Sequence, residues 1–179
     1  MKGLVFNEFL EMVEEKFGFE ISNQIVTNSN LDTKGIYSSL GYYDYKELVS
    51  MVVELHKITK IEIPLLIKTF GTYLFSIFVK NYGIFFQNED NLLRFLSKIE
   101  DIIHVEVLKL YPDAEFPKFK IELLDEQQIH FLYNSSKGLH DLAEGLILGA
   151  AIHFNTKVEI EKEFVQIDGT CVLFKVKIV

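Results

Sequence analysis

Apolar and polar positions repeat along this chain with two different periods, and the change falls near residue 117. Residues 4 to 17 place Val5, Phe9, Met12, Val13 and Lys16 on one side and Glu8, Glu11 and Glu15 on the other, the roughly 3.6-residue period of an amphipathic helix. Gly18 is its predicted stop. Residues 20 to 41 are rich in Asn, Ser and Thr and reach Gly41 with no strong period, which predicts weak helix and loop. Asp44 suits the cap of a helix over 45 to 59, with Glu47 at the capping-box position. Pro64 suits the first turn of the next helix, IPLLIKTFGTYLFSIFVKNYG, which ends near Gly83. From Asn88 to Leu110 the start is helical, with Leu92, Leu96, Ile99 and Ile103 on one stripe. Its second half, IIHVEVLKL, is β-branched and also reads as a strand, so local pattern leaves both open.

After Pro112 and Pro117 the period shortens. FKIELL (119–124), QIHFLY (128–133), KVEIEKE (157–163) and CVLFKVKI (171–178) alternate as strands do, and Asp168-Gly169 between the last two is a hairpin-turn pair. One helix, 138 to 154, interrupts them, and its Gly145, Gly149, Ala150 and Ala151 predict a close packing partner. The expected fold class is α+β: a helical first half followed by a four-stranded antiparallel sheet with a helix across it. No internal repeat or low-complexity tract stands out.

Composition narrows the function classes. With 179 residues the chain is long enough for one domain, or two closely packed halves, with a large core. Hydrophobic residues make up 49%, and 16 Phe and 8 Tyr supply bulk without any Trp, so there is apolar surface to spare for an internal cavity. A net charge of -8, with no Lys/Arg-rich run, argues against nucleic acid and anionic membranes as partners. The single cysteine, Cys171, excludes an internal disulfide framework and suits a reducing cytoplasm. The start alternates Glu with apolar residues, unlike a signal peptide. No stretch reads as the roughly 20 apolar residues of a membrane span. A cytoplasmic protein is expected.

Among five histidines, His104 lies between Ile102, Ile103, Val105 and Val107. From that setting alone a structural core histidine is the commoner outcome, yet a neutral imidazole in an apolar wall is also what an axial heme ligand requires. Tyr133, Ser135 and Lys137, in Y-N-S-S-K, point to one side of an extended segment about 6.6 Å apart. Two hydroxyls and an ammonium in a row suit paired carboxylates or phosphates, though from these residues alone a polar strand face ending at Gly138 is the commoner outcome. His130 reads as a surface strand residue, and His56 and His153 as structural. Glu11, Glu14 and Glu15 read as a solvated helix face. No Ser-His-Asp order, Gly-rich phosphate loop or H-E-x-x-H occurs, so no enzyme is expected.

Three segments taken together are more specific: MKGLVFNEFLEMVEEKFG, IIHVEVLKLYPDAEFPKF and YNSSKGLHDLAEGLILGAAIHF. In order and spacing they resemble the H-NOX (heme-nitric oxide/oxygen binding) family of bacterial gas sensors, related to the heme domain of soluble guanylate cyclase. The resemblance runs over essentially the whole chain. It implies a single domain over 1–179, with a helical N-terminal subdomain (1–60) packed on a heme-ligating subdomain (61–179) that holds the sheet. It also implies heme b as cofactor, His104 as proximal iron ligand in a helical segment, and Tyr133, Ser135 and Lys137 as the motif that grips the propionates. Pro117 falls where the family has a proline pressing on the porphyrin. Val5, Phe9, Leu74, Phe78, Leu142 and Leu146 are the expected distal wall, with Leu142 where oxygen-binding members carry a tyrosine.

The implied ligands are nitric oxide and carbon monoxide, and the implied partner is a histidine kinase or diguanylate cyclase acting in trans, since the chain ends at Val179 with no output domain. Two departures stand out. Lys137 replaces the usual arginine of the motif and loses its bidentate fork. His140 and Cys171 match two ligands of a zinc site found in some relatives, while Lys162 and Val165 stand near the others, so no zinc is expected. The alternative is a heme-free interaction module that kept the fold.

Overall fold

The first helix, α1 (Gly3–Phe17), buries Phe6, Phe9, Met12 and Val13, and Gly18 ends it with a positive φ of 91°. Glu11, Glu14 and Glu15 are exposed as expected. Glu8 is not: it is only 8% exposed. The reason is its place in the period, three residues after Val5 and four before Met12, which puts it on the edge of the apolar stripe rather than opposite to it. The computed structural model describes residues 1–86, 89–105, 108 and 115–179. Asn88, Glu106, Val107 and 109–114, which carry much of the expected His-bearing segment, lie outside the described residues.

α2 (Phe19–Asn28) follows at once, and turns lead to α3 (Tyr45–Thr59). The Asp44 side chain caps α3 by accepting from the Lys46 N–H at 3.0 Å. Glu47 does not complete the capping box. Its carboxylate instead accepts from the Thr33 hydroxyl and, at 2.7 Å, from the Tyr37 hydroxyl, which fastens the preceding loop to α3. α4 (Ile63–Asn81) begins with Pro64 in its first turn, where the missing N–H has no role.

By length and composition α4 is apolar enough to cross a membrane, the one such helix among the described residues, which corrects the expectation that no stretch approaches a span. Here it buries Leu66, Phe70, Gly71, Leu74 and Phe75. It packs against α1, α3 and above all α6 (His140–His153). A Cβ on Gly145 would stand 2.1 Å from the Lys68 carbonyl oxygen, and one on Gly71 would stand 2.4 Å from that of Leu142. Only glycines permit so close an approach of two helix backbones, and this is the partner that the small residues of α6 predicted.

A 3-10 turn (Gly83–Phe85) and a short helix, α5 (Leu92–Ser97), lead to a π turn (Ile99–Ile103). The sheet then forms from β1 (Lys118–Leu124), β2 (Gln128–Asn134), β3 (Val158–Phe164) and β4 (Cys171–Ile178), all neighbours antiparallel, in the order β1-β2-β4-β3. These are the four expected strands. Ile129, Phe131 and Tyr133 of β2 alternate inward with Val172, Phe174 and Val176 of β4. That face meets α5 and α6 in one apolar cluster, while a second cluster joins α1, α2, α3 and α4. Gly169 takes a positive φ of 74° in the β3–β4 connection, as the Asp-Gly pair predicted.

Candidate functional site

His104 follows the π turn directly, with helical backbone angles of −62° and −38°, and its N–H donates to the Ile99 carbonyl five residues back. The strand alternative is therefore wrong at residues 102 to 105. β-branched residues raise strand propensity only weakly, and tertiary packing overrides it. A π turn is rare and recurs at functional sites, since it rotates the following side chain relative to a regular helix.

The His104 ring stacks on Phe116, with centroids 4.5 Å apart and planes 12° from parallel, and lies 5.8 Å from Phe119. Its Nδ1 meets Glu100 Oε2 at 3.3 Å, and the same oxygen accepts the Phe119 N–H at 3.1 Å. Burial lowers the imidazole pKa and the Glu100 charge only partly opposes it, so the neutral ring is favoured. With Nδ1 directed to a carboxylate, the lone pair of a neutral imidazole resides on Nε2. That is the donor chemistry of an axial metal ligand.

Phe119 connects His104 to the second candidate group, since its ring is also 5.8 Å from Tyr133. Tyr133, 2% exposed, closes the inner face of β2. Burial pushes its pKa up, and the nearby Ser135 side chain and Leu139 backbone act against that shift. Ser135 lies just past the end of β2, and its Oγ accepts the Lys137 N–H at 3.3 Å. The three residues therefore share a site through a turn closed by Gly138, not by lying along one extended face. Lys137 Nζ donates to Glu115 Oε2 at 2.8 Å and holds that carboxyl below its ordinary range. Pro117 is half-buried between Phe116, which covers His104, and the first residue of β1.

The six expected wall residues come from three helices far apart in sequence. Phe9 and Leu74 are buried, Val5, Phe78, Leu142 and Leu146 are half-buried, and all belong to or pack against the cluster of the first four helices. Leu146 touches the second cluster as well. Tyr73 is turned away, its hydroxyl 3.3 Å from Glu15 on the solvent face of α1. A residue unforeseen from sequence is Glu100, whose only signal was its position four residues before His104.

The residues near the relatives' metal ligands are otherwise engaged. The Lys162 ammonium lies 2.6 Å from both Asp141 and Glu144 and 3.4 Å from His140 Nδ1, and Glu144 also pairs with Lys68. Val165 is exposed, and Cys171 is a buried free thiol. The cluster ties β3 and α6 to α4. His56 Nδ1 meets the Ile61 carbonyl at 2.7 Å, and His153 contacts Phe75, Phe86 and Phe154, the structural roles expected of both.

Comparison with known proteins adds to this geometry. A family model described as Haem-NO-binding matches residues 2–162. The ferrous unliganded H-NOX protein from K. algicida is 36% identical, with a TM-score of 0.96 over 100% of this chain and 97% of that one. An H-NOX protein from S. oneidensis in the Fe(II)NO ligation state is 29% identical, with a TM-score of 0.91 over 100% and 99%. The H-NOX from Shewanella woodyi in the Fe(II)CO ligation state is 34% identical, with a TM-score of 0.84 over 99% and 94%. A comparison with curated proteins gives no match.

Proposed function

This chain belongs to the H-NOX, or Haem-NO-binding, family of gas-sensing heme domains, and from that premise we propose that it is a nitric oxide sensor whose heme b is held by His104. What supports the proposal most is the setting of His104: a neutral, half-buried imidazole stacked on Phe116, with Nδ1 on Glu100 and Nε2 left as the donor. These residues fit the group. Heme, when bound, would supply the ferrous iron at which nitric oxide binds, with His104 as the protein's ligand to it.

The chain's own residues do the rest. Val5, Phe9, Leu74, Phe78, Leu142 and Leu146 exclude water and offer the gas an apolar wall. Tyr133 and Ser135 present hydroxyls to the propionates, and Lys137 presents an ammonium that must leave or share Glu115. Pro117, behind Phe116, presses on the porphyrin. His104, which follows the π turn directly, would pass a change at the heme to the contact between residues 1–60 and 61–179. The chain acts as a sensor and not as an enzyme. It works in the cytoplasm and binds carbon monoxide as well. A separate histidine kinase or diguanylate cyclase reads the shift, and the net charge of -8 favours a basic contact surface on that partner.

One absorption spectrum of the reduced protein, before and after nitric oxide, tests the proposal. The expected result is a Soret band that moves when the gas is added. No Soret band after expression with ample heme overturns it in favour of a heme-free interaction module, which the pairing of Lys137 with Glu115 would then serve structurally.

Lys137 gives a second test. Lys137→Ala is expected to lower heme retention and Lys137→Arg to preserve or improve it, because guanidinium restores bidentate pairing. The rate of heme transfer to an apo-globin acceptor measures this. A rise of about tenfold on removing the charge corresponds to roughly 1.4 kcal/mol. Equal rates in all three proteins would mean that Lys137 does not touch a propionate.

A further inference from the structure

We propose that Glu100 is a positioning residue for His104: its carboxylate fixes the orientation and tautomer of the imidazole and strengthens Nε2 as a donor. It thereby sets how readily His104 is given up when nitric oxide binds. This rests on the reading of His104 as the iron ligand.

Three observations converge on Glu100. It stands four residues before His104 on a helical segment, the spacing at which side chains meet on one face. Its Oε2 lies 3.3 Å from Nδ1, so the ring is approached by a charged acceptor rather than by a backbone carbonyl. That oxygen is itself anchored, because it accepts the Phe119 N–H at 3.1 Å at the start of β1. The carboxylate is therefore a bracket between the His104 segment and the edge strand of the sheet. Phe119, which supplies the bracket's fixed end, also packs on His104 and on Tyr133.

A carboxylate behind a metal-bound imidazole draws the Nδ1 proton toward itself and makes Nε2 a stronger donor. A stronger bond to iron resists the weakening that nitric oxide imposes. The residue thus tunes the threshold of the signal without touching the gas.

The surroundings make the residue testable. Glu100 also lines a groove of about 260 Å³ with Leu96, Ser97, Ile99, Phe119 and Phe131. Its side chain is 37% exposed against 14% for His104. A shorter or neutral side chain at 100 thus opens onto space that water already reaches, and the fold is expected to survive it.

The experiment compares the unaltered protein with Glu100→Gln and Glu100→Ala. Nitrogen-15 NMR of histidine in the heme-free proteins reads the tautomer. The unaltered chain is expected to hold the Nδ1–H form of His104 and Glu100→Ala a mixture. Resonance Raman of the ferrous heme proteins reads the iron–histidine stretch, which is expected to fall in Glu100→Gln and further in Glu100→Ala. Heme loss from Glu100→Ala is expected to accelerate about tenfold or more. A merely structural role would lower the melting temperature and leave tautomer and stretch unmoved, and that result overturns the proposal. Failure of the ligand assignment looks different: the iron–histidine band would persist in His104→Gly, or no variant would take up heme while the tautomer was set by Glu100 all the same.

Discussion

Replacing His104 by glycine is expected to strip most of the heme from the protein, and imidazole in the medium to restore it. The variant removes the side chain proposed to donate to iron and leaves its supports intact. Phe116, which stacks on the ring at 4.5 Å, still offers a flat face, and Glu100 still offers an acceptor for Nδ1. Free imidazole therefore has both of the contacts that hold the natural ring. The fold is expected to persist, because His104 is only half-buried and belongs to neither of the two apolar clusters. Glycine in a helical position costs about 1 kcal/mol, which is small against the stability of a domain. The ratio of Soret to aromatic absorbance in purified protein measures the loss, and circular dichroism confirms the fold. Unchanged heme content and an unchanged spectrum would sink the assignment of His104.

The same segment shows where sequence reasoning succeeds and where it stops. The four strands were legible because each alternates with period two and is bounded by Pro, Gly or Asp. α1, α3, α4 and α6 were legible because their apolar stripes are long. The His104 segment was not legible from local pattern, because a β-branched run in a π turn carries neither period; only the family resemblance implied the helix, and the pair of Glu100 and His104 went unnoticed. Glu8 and Glu47 failed for another reason. Both are acids that local pattern sends to solvent or to a cap, and both are drawn inward: Glu8 by its place on the edge of the α1 stripe and Glu47 by Thr33 and Tyr37 in the preceding loop. The wall residues are the extreme case. Val5, Phe9, Leu74, Phe78, Leu142 and Leu146 are ordinary core positions in their own helices, and family likeness alone singled them out. The structure gathers them around one cluster because Gly71 and Gly145 let α4 and α6 meet.

That gathering bears on which gas the protein keeps. Ferrous protein in air is expected to form no stable oxygenated species, yet to bind nitric oxide readily. Bound oxygen carries partial negative charge and is retained when a donor bonds to it, whereas nitric oxide needs no such bond. A hydrogen bond to a charged group contributes roughly 1.5–3 kcal/mol, which is about tenfold to more than a hundredfold in affinity. None of the six wall side chains has a polar atom. Tyr73, next to Leu74 in sequence, lies against Glu15 on the outer face of α1. Glu8 is buried and its carboxyl pKa is raised, first by that burial and then by Glu11, so it is biased toward the neutral acid that donates. Its Oε2 is buried without a hydrogen-bond partner among the described residues, which makes it the candidate donor to exclude. Leu142→Tyr is expected to raise oxygen affinity by the factor above, as a hydroxyl enters the wall. The void beside Leu142, between Leu48, Val52, Ile67 and Phe70, is only about 10 Å³, so the larger ring must displace its neighbours, and the heme-free variant is expected to lose roughly 1–3 kcal/mol of stability. Oxygen titration of the ferrous proteins and thermal melts of the heme-free ones measure the two effects. A stable oxygenated spectrum in the unaltered protein would mean that a donor reaches the gas, and its disappearance in Glu8→Leu or Tyr73→Phe would say which; either result withdraws the nitric oxide selectivity.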